Sequence, residues 1–127
     1  MSFIRYNRNP IDRRTIDCTI RAISTIENKS WERVYWGVCA MGSKMYSMPS
    51  ANDVWGKYLD VMGYHRGILP NTCPACYTVR DFCRDFPTGE YIVGTGSHVI
   101  AVIDGDWYDT WDSRDEVLLF YWWKGRN

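Results

Sequence analysis

This 127-residue sequence has neither a long hydrophobic run nor a net charge. No apolar stretch approaches the roughly 20 residues that a helix needs to cross a bilayer, and charged residues interrupt the N-terminal segment after only a few positions, so no secretory signal is expected. Fifteen basic residues balance fifteen acidic ones, which leaves no overall field to attract nucleic acid or an anionic membrane. We therefore expect a cytoplasmic protein that binds neither membranes nor nucleic acid.

Cysteines are few, and their number is odd. Five cysteines without a secretory signal argue against a disulfide framework and favour reduced thiols or a metal site. The chain also lacks internal repeats, low-complexity segments and an interdomain linker. Its length is typical of one domain, so we expect a single domain over residues 1–127 and no cofactor.

Apolar residues recur at helical spacing in four segments of the first two thirds of the chain. The carboxylate of Asp17 can cap the first helix, which places Cys18 at the first helical position. Three further helices are predicted after hydroxyl residues suited to capping, namely Ser30, Ser50 and Thr78. Gly37 and Gly42 are expected to weaken or end the second helix.

Strand patterns dominate the last third of the chain. They cover residues 90–94, 98–103, 107–111 and 117–123. Asp104-Gly105 is a hairpin turn signal, whereas residues 1–16 and 64–77 are predicted to be irregular. Because helices precede strands, we expect an α+β fold, with the helices on one side of an antiparallel sheet of about four strands.

Cys18 and His98 are the first candidates for chemistry. A thiol at the positive end of a helix dipole favours the thiolate, although most free cysteines are simply small buried hydrophobes. A histidine can take the thiol proton and later return it to a leaving group. His98 at the start of a predicted strand could be that base, or a structural strand residue.

A third group has to hold the imidazole by its other nitrogen, and two aspartates are candidates. With a two-residue turn at Asp104-Gly105, Asp109 lies diagonally on the same face as His98. A three-residue turn or a bulge places Asp112 directly opposite His98. The sequence leaves this register open.

Three stretches together resemble the papain-like cysteine peptidase superfamily, in the style of its small bacteriocin-processing-peptidase-like branch. They are Asp17-Cys18 at a helix start, Gly96-Ser97-His98 before an apolar strand, and Asp-Thr-Trp-Asp-Ser at residues 109–113. The resemblance implies a papain-like fold, with N-terminal helices packed on a C-terminal antiparallel sheet. It also implies a Cys, a His and an Asp or Asn that act in that chain order.

The resemblance further implies a thiol hydrolase, a cysteine peptidase or isopeptidase, that acts on a peptide or protein through a thioester; acyl transfer to an amine would use the same groups. In such families the acid often ends the strand after the histidine, which here resembles Asp112. The pattern of papain itself resembles Asp109-Thr110-Trp111 instead. We favour Asp112.

The family usually has a glutamine just upstream of the cysteine, where this chain has Asp12 and Arg13. We therefore expect the oxyanion donors to be the Cys18 backbone N–H together with Arg13 or Asn9. Trp111 is expected to form a wall of the cleft. Because the glutamine is missing, a catalytically inactive binding module on a peptidase-like scaffold is the alternative.

The Cys73-Pro74-Ala75-Cys76 segment supports a further alternative, a zinc or redox module. With Cys83 and His65, its two cysteines could supply four tetrahedral zinc ligands. Cys83, however, fits the apolar face of a short helix, and Gly67 and Pro70 argue against the strand that precedes a redox CxxC. We therefore expect no metal.

Overall fold

A computed structural model describes residues 1–124, which form four helices and one open sheet of six strands. The helices are α1 (Cys18–Glu27), α2 (Trp31–Met45), α3 (Asn52–Val61) and α4 (Val79–Asp85). The strands are β1 (Phe3–Arg5), β2 (Tyr64–Ile68), β3 (Glu90–Gly94), β4 (Val99–Ile103), β5 (Asp106–Asp109) and β6 (Phe120–Lys124). The predicted α+β class is confirmed. None of the four helices has the length and apolar character required to span a bilayer.

The sheet is larger than predicted, and it is mixed. Its strand order is β1-β5-β4-β3-β6-β2, in which β1 runs parallel to β5 and β2 runs antiparallel to β6. The prediction of about four antiparallel strands is therefore wrong, because it omits the two edge strands, β1 and β2. β1 has only three residues, too few to show alternation, and β2 has a single buried residue, Tyr64.

The two faces of the sheet pack against different helices. In β3, Ile92 joins the core formed with α1, α2 and α3, while its neighbour Val93 joins a second core with α4. β4 is buried on both faces, which explains its continuous apolar run. Helices thus cover both faces, and the expectation of helices on one side is wrong.

Two helix starts differ from the prediction. Asp17 occupies the N-cap position of α1 but makes no capping bond, and Ala51 rather than Ser50 precedes α3. Ser30 caps α2, and Thr78 with Asp81 forms a capping box at α4, as expected.

The second helix continues through both of its glycines to Met45. At Gly37 the ring of Tyr58 on α3 lies so close that an added Cβ would stand 2.8 Å from its Cε1 atom. Glycine therefore permits the close approach of two helices here and does not end the first of them.

The β4–β5 hairpin sets the geometry of the site. Asp104 and Gly105 both have positive φ, at 49° and 79°, which is typical of a two-residue type I′ turn. Ile103 pairs with Asp106, and Ala101 with Tyr108. Continued past the strand ends, this register sets position 98 opposite position 111.

Candidate active site

Cys18 is the first residue of α1, and its half-buried side chain packs against the core beneath that helix. The N–H groups in the first turn of a helix have no acceptor within the helix. Because the carboxylate of Asp17 does not cap them, they present partial positive charge beside the sulfur. This end of α1 is suited to an anionic sulfur or to an oxyanion.

His98 directly precedes β4, where a tight turn over residues 95–97 holds its backbone. Its N–H donates to Thr95 Oγ1 at 3.0 Å, and its carbonyl accepts from the Thr95 N–H at 2.9 Å. The imidazole stacks on Trp111, with 5.0 Å between the ring centroids. The ring is therefore fixed from the backbone side and from one face.

Asp109 ends β5 and contacts the imidazole of His98. Its Oδ2 atom lies 2.6 Å from His98 Nε2 and accepts from Ser113 Oγ at 2.8 Å. Its Oδ1 atom accepts from the Thr110 N–H at 2.8 Å. Since Asp109 is only 3 % exposed, these bonds replace the water that a carboxylate otherwise requires. The carboxylate is thus held in one orientation, and the imidazole with it.

The Cys18 sulfur and the His98 imidazole line the same cleft, and each shifts the pKa of the other. Because Asp109 occupies Nε2, the nitrogen left for the sulfur is Nδ1. The structure therefore brings together the nucleophile and the base predicted from the sequence, with Asp109 as the acid behind the base.

The environment favours the charged forms of both groups. Burial by itself raises the pKa of Cys18. Hydrogen bonding to His98 and to the Val99 N–H, together with the positive charges of His98 and Arg21, has the larger effect and holds this pKa below its usual value. Burial lowers the pKa of His98, but its bonds to Asp109 and Cys18 raise it to about 9. Both shifts favour the thiolate–imidazolium form of the pair over the neutral form.

A buried arginine connects the helix that carries Cys18 to the strand that carries Asp109. Arg21, only 8 % exposed, forms an ion pair with Asp17 one turn earlier, and its Nη2 atom lies 3.5 Å from Asp109 Oδ1. Asp17 also accepts from Trp31 Nε1 at 2.9 Å and from the side-chain amide of Asn9 at 3.1 Å. Arg21 thus bridges two buried carboxylates and connects α1 to β5.

These groups form the arrangement that nucleophilic thiol chemistry requires: a thiol beside an imidazole, and an imidazole held by a carboxylate. No family model, curated protein or solved structure matches this chain. The assignment of a function therefore rests on the site itself.

Asp112, the acid favoured from the sequence, does not contact His98. Its carboxylate accepts from Trp107 Nε1 at 3.0 Å and from Arg114 Nε at 2.8 Å. Hydrogen bonds from Arg114, the largest influence, lower its pKa to about 2. The preference for Asp112 is wrong because the turn at residues 104–105 has two residues, and only an extra residue in the hairpin would set Asp112 opposite His98.

Neither side chain proposed as an oxyanion donor lies in the cleft. Asn9 is buried, and its side-chain oxygen accepts from two N–H groups of the N-terminal arm while its amide donates to Asp17. Arg13 is exposed and lies outside the cleft lining. The expectation that one of them faces the sulfur is wrong, because the arm folds around the Asn9 side chain. The Cys18 N–H remains at the helix start, as expected.

A cleft of about 540 Å³ opens beside the sulfur and the imidazole. Trp111 forms one wall, as expected, and is 44 % exposed. Arg14 and Ile16 of the N-terminal arm and Asn52 of α3 also line the cleft, and none of the three was predicted as a site residue. The Asn52 amide donates to the Gly96 carbonyl at 3.0 Å, a contact between distant segments that no local pattern indicates. Arg21 was not predicted as a site residue either. The opposite charge of Asp17, four residues earlier, could have indicated their ion pair from the sequence.

The cysteines outside the cleft do not form the predicted alternative sites. Cys73 and Cys76 are joined by a disulfide, so the expectation of reduced thiols is wrong for this pair. Cys83 is buried in the second core, where burial raises its pKa to about 12, and His65 packs on Trp123. Over residues 1–124, no three metal-ligating side chains are placed to share an ion.

Proposed function

We propose that this protein is a papain-like thiol hydrolase, a cysteine peptidase or isopeptidase, with Cys18 as nucleophile. The main support is that one imidazole has two partners: Asp109 Oδ2 lies 2.6 Å from His98 Nε2, and the Cys18 thiol lines the same cleft as His98, where each shifts the pKa of the other. A structural histidine needs only one such partner. The start of a helix at the cysteine, packed against the sheet that carries the histidine, supports the same proposal.

In the first half of the reaction, the Cys18 thiolate attacks the substrate carbonyl and a carbon–sulfur bond forms. The oxyanion that develops lies near the start of α1, where the Cys18 N–H can donate to it. The carbon–nitrogen bond then breaks, and the His98 imidazolium gives its proton to the leaving amine. A thioester and a neutral imidazole remain.

In the second half, His98 takes a proton from water as the water oxygen attacks the thioester. The carbon–sulfur bond breaks, the acid product leaves, and the thiolate and imidazolium are restored. Asp109 stabilises the imidazolium in both halves and keeps Nδ1 directed at the sulfur. An amine in place of water would give acyl transfer with the same groups.

Selective alkylation tests the proposal. The protein is treated with iodoacetamide from pH 4 to 10, and each cysteine is quantified by peptide mass spectrometry. We expect Cys18 to react with an apparent pKa well below the usual value of about 8.5, and His98→Ala to raise that value. Cys39, a free cysteine outside the cleft, is the internal control.

The alkylation result for Cys18 is then compared with the rate at which the protein hydrolyses a substrate. Hydrolysis of an unfolded protein substrate such as reduced casein should disappear in Cys18→Ala and persist in Cys39→Ala. A Cys18 thiol that titrates normally and hydrolyses nothing would contradict the proposal.

One observation favours a second candidate, a catalytically inactive binding module. The cleft lining contains no glutamine, and neither Asn9 nor Arg13 provides a second oxyanion donor. A module of this kind would bind peptides in the cleft with equal affinity in the wild-type protein and in Cys18→Ala, and it would hydrolyse none of them.

A further inference from the structure

We propose that the substrate of this protein is acidic: it carries a carboxylate that Arg14 binds, beside an apolar side chain that packs on Trp111 and Ile16. The inference rests on the proposed hydrolase function and names its substrate class. It is carried by the charges and the exposed apolar groups that line the cleft.

The formal charges along the described cleft walls are positive, apart from the thiolate itself. Arg14 and Arg21 line the cleft, whereas no aspartate or glutamate does. Arg21 is paired with the buried carboxylates of Asp17 and Asp109. Arg14 is therefore the one arginine of the cleft lining that no carboxylate of the described residues pairs with.

The Arg14 side chain is exposed and available to a ligand. Over residues 1–124 its guanidinium has neither an ion-pair partner nor a side-chain hydrogen bond. A guanidinium donates two parallel hydrogen bonds to a carboxylate, a geometry that a hydroxyl or an amide cannot match. The preferred ligand of Arg14 is thus an aspartate or glutamate side chain, or a terminal carboxylate.

Two apolar side chains on the same cleft walls are exposed. Ile16 is 99 % exposed and Trp111 is 44 % exposed, although both lie beside the reacting groups. Large apolar groups exposed at a cleft are typical of a binding surface. A cleft of about 540 Å³ accommodates a few side chains of an extended segment rather than a folded domain.

The test uses internally quenched peptides with a central leucine, in which one flanking position at a time is Glu, Gln or Lys. We expect the wild-type protein to cleave the best Glu peptide roughly three- to tenfold faster than its Gln and Lys counterparts. Arg14→Ala should abolish the preference, and Arg14→Glu should reverse it in favour of Lys. A reversal would not arise from a merely structural role of Arg14.

Arg13 provides the matched control, because it is the adjacent exposed arginine and lies outside the cleft. Arg13→Ala and Arg13→Glu change the net charge as the Arg14 variants do, and both should keep the wild-type preference. If Arg13→Glu changes the preference as strongly as Arg14→Glu, the effect comes from the general field and the assignment to Arg14 is wrong.

Peptidyl vinyl sulfones with Glu or Lys at the same positions separate this inference from the proposed function, because they label Cys18 without turnover. If Glu and Lys peptides are cleaved equally in the wild type, the acidic substrate is excluded and the hydrolase proposal stands. If no peptide is cleaved but the Glu probe labels Cys18 faster in a manner dependent on Arg14, anion binding stands and hydrolysis does not. If neither cleavage nor selective labelling occurs, both are wrong.

Discussion

The Nε2 atom of His98 lies 2.6 Å from Oδ2 of Asp109, across a hairpin whose turn is only two residues long. The length of that turn determines which acid reaches the imidazole. Asp112, three residues further on, bonds instead to Trp107 and Arg114. The acid that positions the base is therefore chosen by a backbone feature at the far end of the hairpin.

Asp109→Asn should reduce kcat/KM for a peptide substrate by roughly a hundredfold or more. The amide removes the negative charge that raises the pKa of His98, so the apparent pKa of Cys18 should rise in the same variant. Asp112→Asn is the matched control and should leave kcat/KM and the alkylation profile of Cys18 near the wild-type values. Equal losses in the two variants would contradict the assignment of Asp109.

Arg21→Met should lower the free energy of unfolding by about 3–5 kcal/mol, because it leaves Asp17 and Asp109 buried without their shared cation. Urea denaturation measures the change. Lys57→Met, which removes an exposed ion pair with Asp60, is the control and should cost less than about 1 kcal/mol. A loss in Arg21→Met no larger than in the control would show that the buried pair adds nothing to stability.

The pKa of His98 predicts how stability depends on pH. The folded protein holds the imidazole proton up to about pH 9, whereas the unfolded chain releases it near about 6.5. The ion pair of His98 with Asp109 therefore contributes fully below about pH 6.5, and its contribution is lost as the pH rises through the folded pKa.

Cys18→Ala and the double variant Cys18→Ala/His98→Gln measure this effect without the titration of the thiol. Removal of the thiol also removes one of the bonds that raise the pKa of His98, so the loss should begin below pH 9 in this background. Urea denaturation between pH 5 and 10 should show the single variant losing stability relative to the double variant as the pH rises. A constant difference over this range would contradict a raised His98 pKa.

Trp111→Ala should reduce kcat/KM by about two- to tenfold, because it removes the ring that stacks on His98 and forms a cleft wall. Its effect on the urea midpoint should be small, since the ring is partly exposed. Trp36→Ala removes another exposed tryptophan, one that lies outside the cleft lining, and should leave kcat/KM unchanged. A similar loss of activity in both variants would indicate a general effect of tryptophan removal.

Much of the local structure could be predicted from the residues. The helix that begins at Cys18, the capping box at Thr78 and the Asp104-Gly105 turn depend on neighbours within a few positions, so their signals are present in the sequence itself. β1 and β2 could not be predicted in this way. They are short or exposed edge strands that exist only because a partner strand satisfies their backbone groups.

The sequence by itself determined the α+β class, the placement of Cys18 at a helix start and the candidacy of His98, because each follows from local spacing and residue chemistry. The tertiary structure alone decided that Asp109 rather than Asp112 contacts the imidazole, that Arg21 joins two buried carboxylates, and that Arg14 lines the cleft while Arg13 does not. The physical reason is that strand register, burial and charge pairing depend on groups far apart in the chain, whose distances are established only when the helices pack on the sheet.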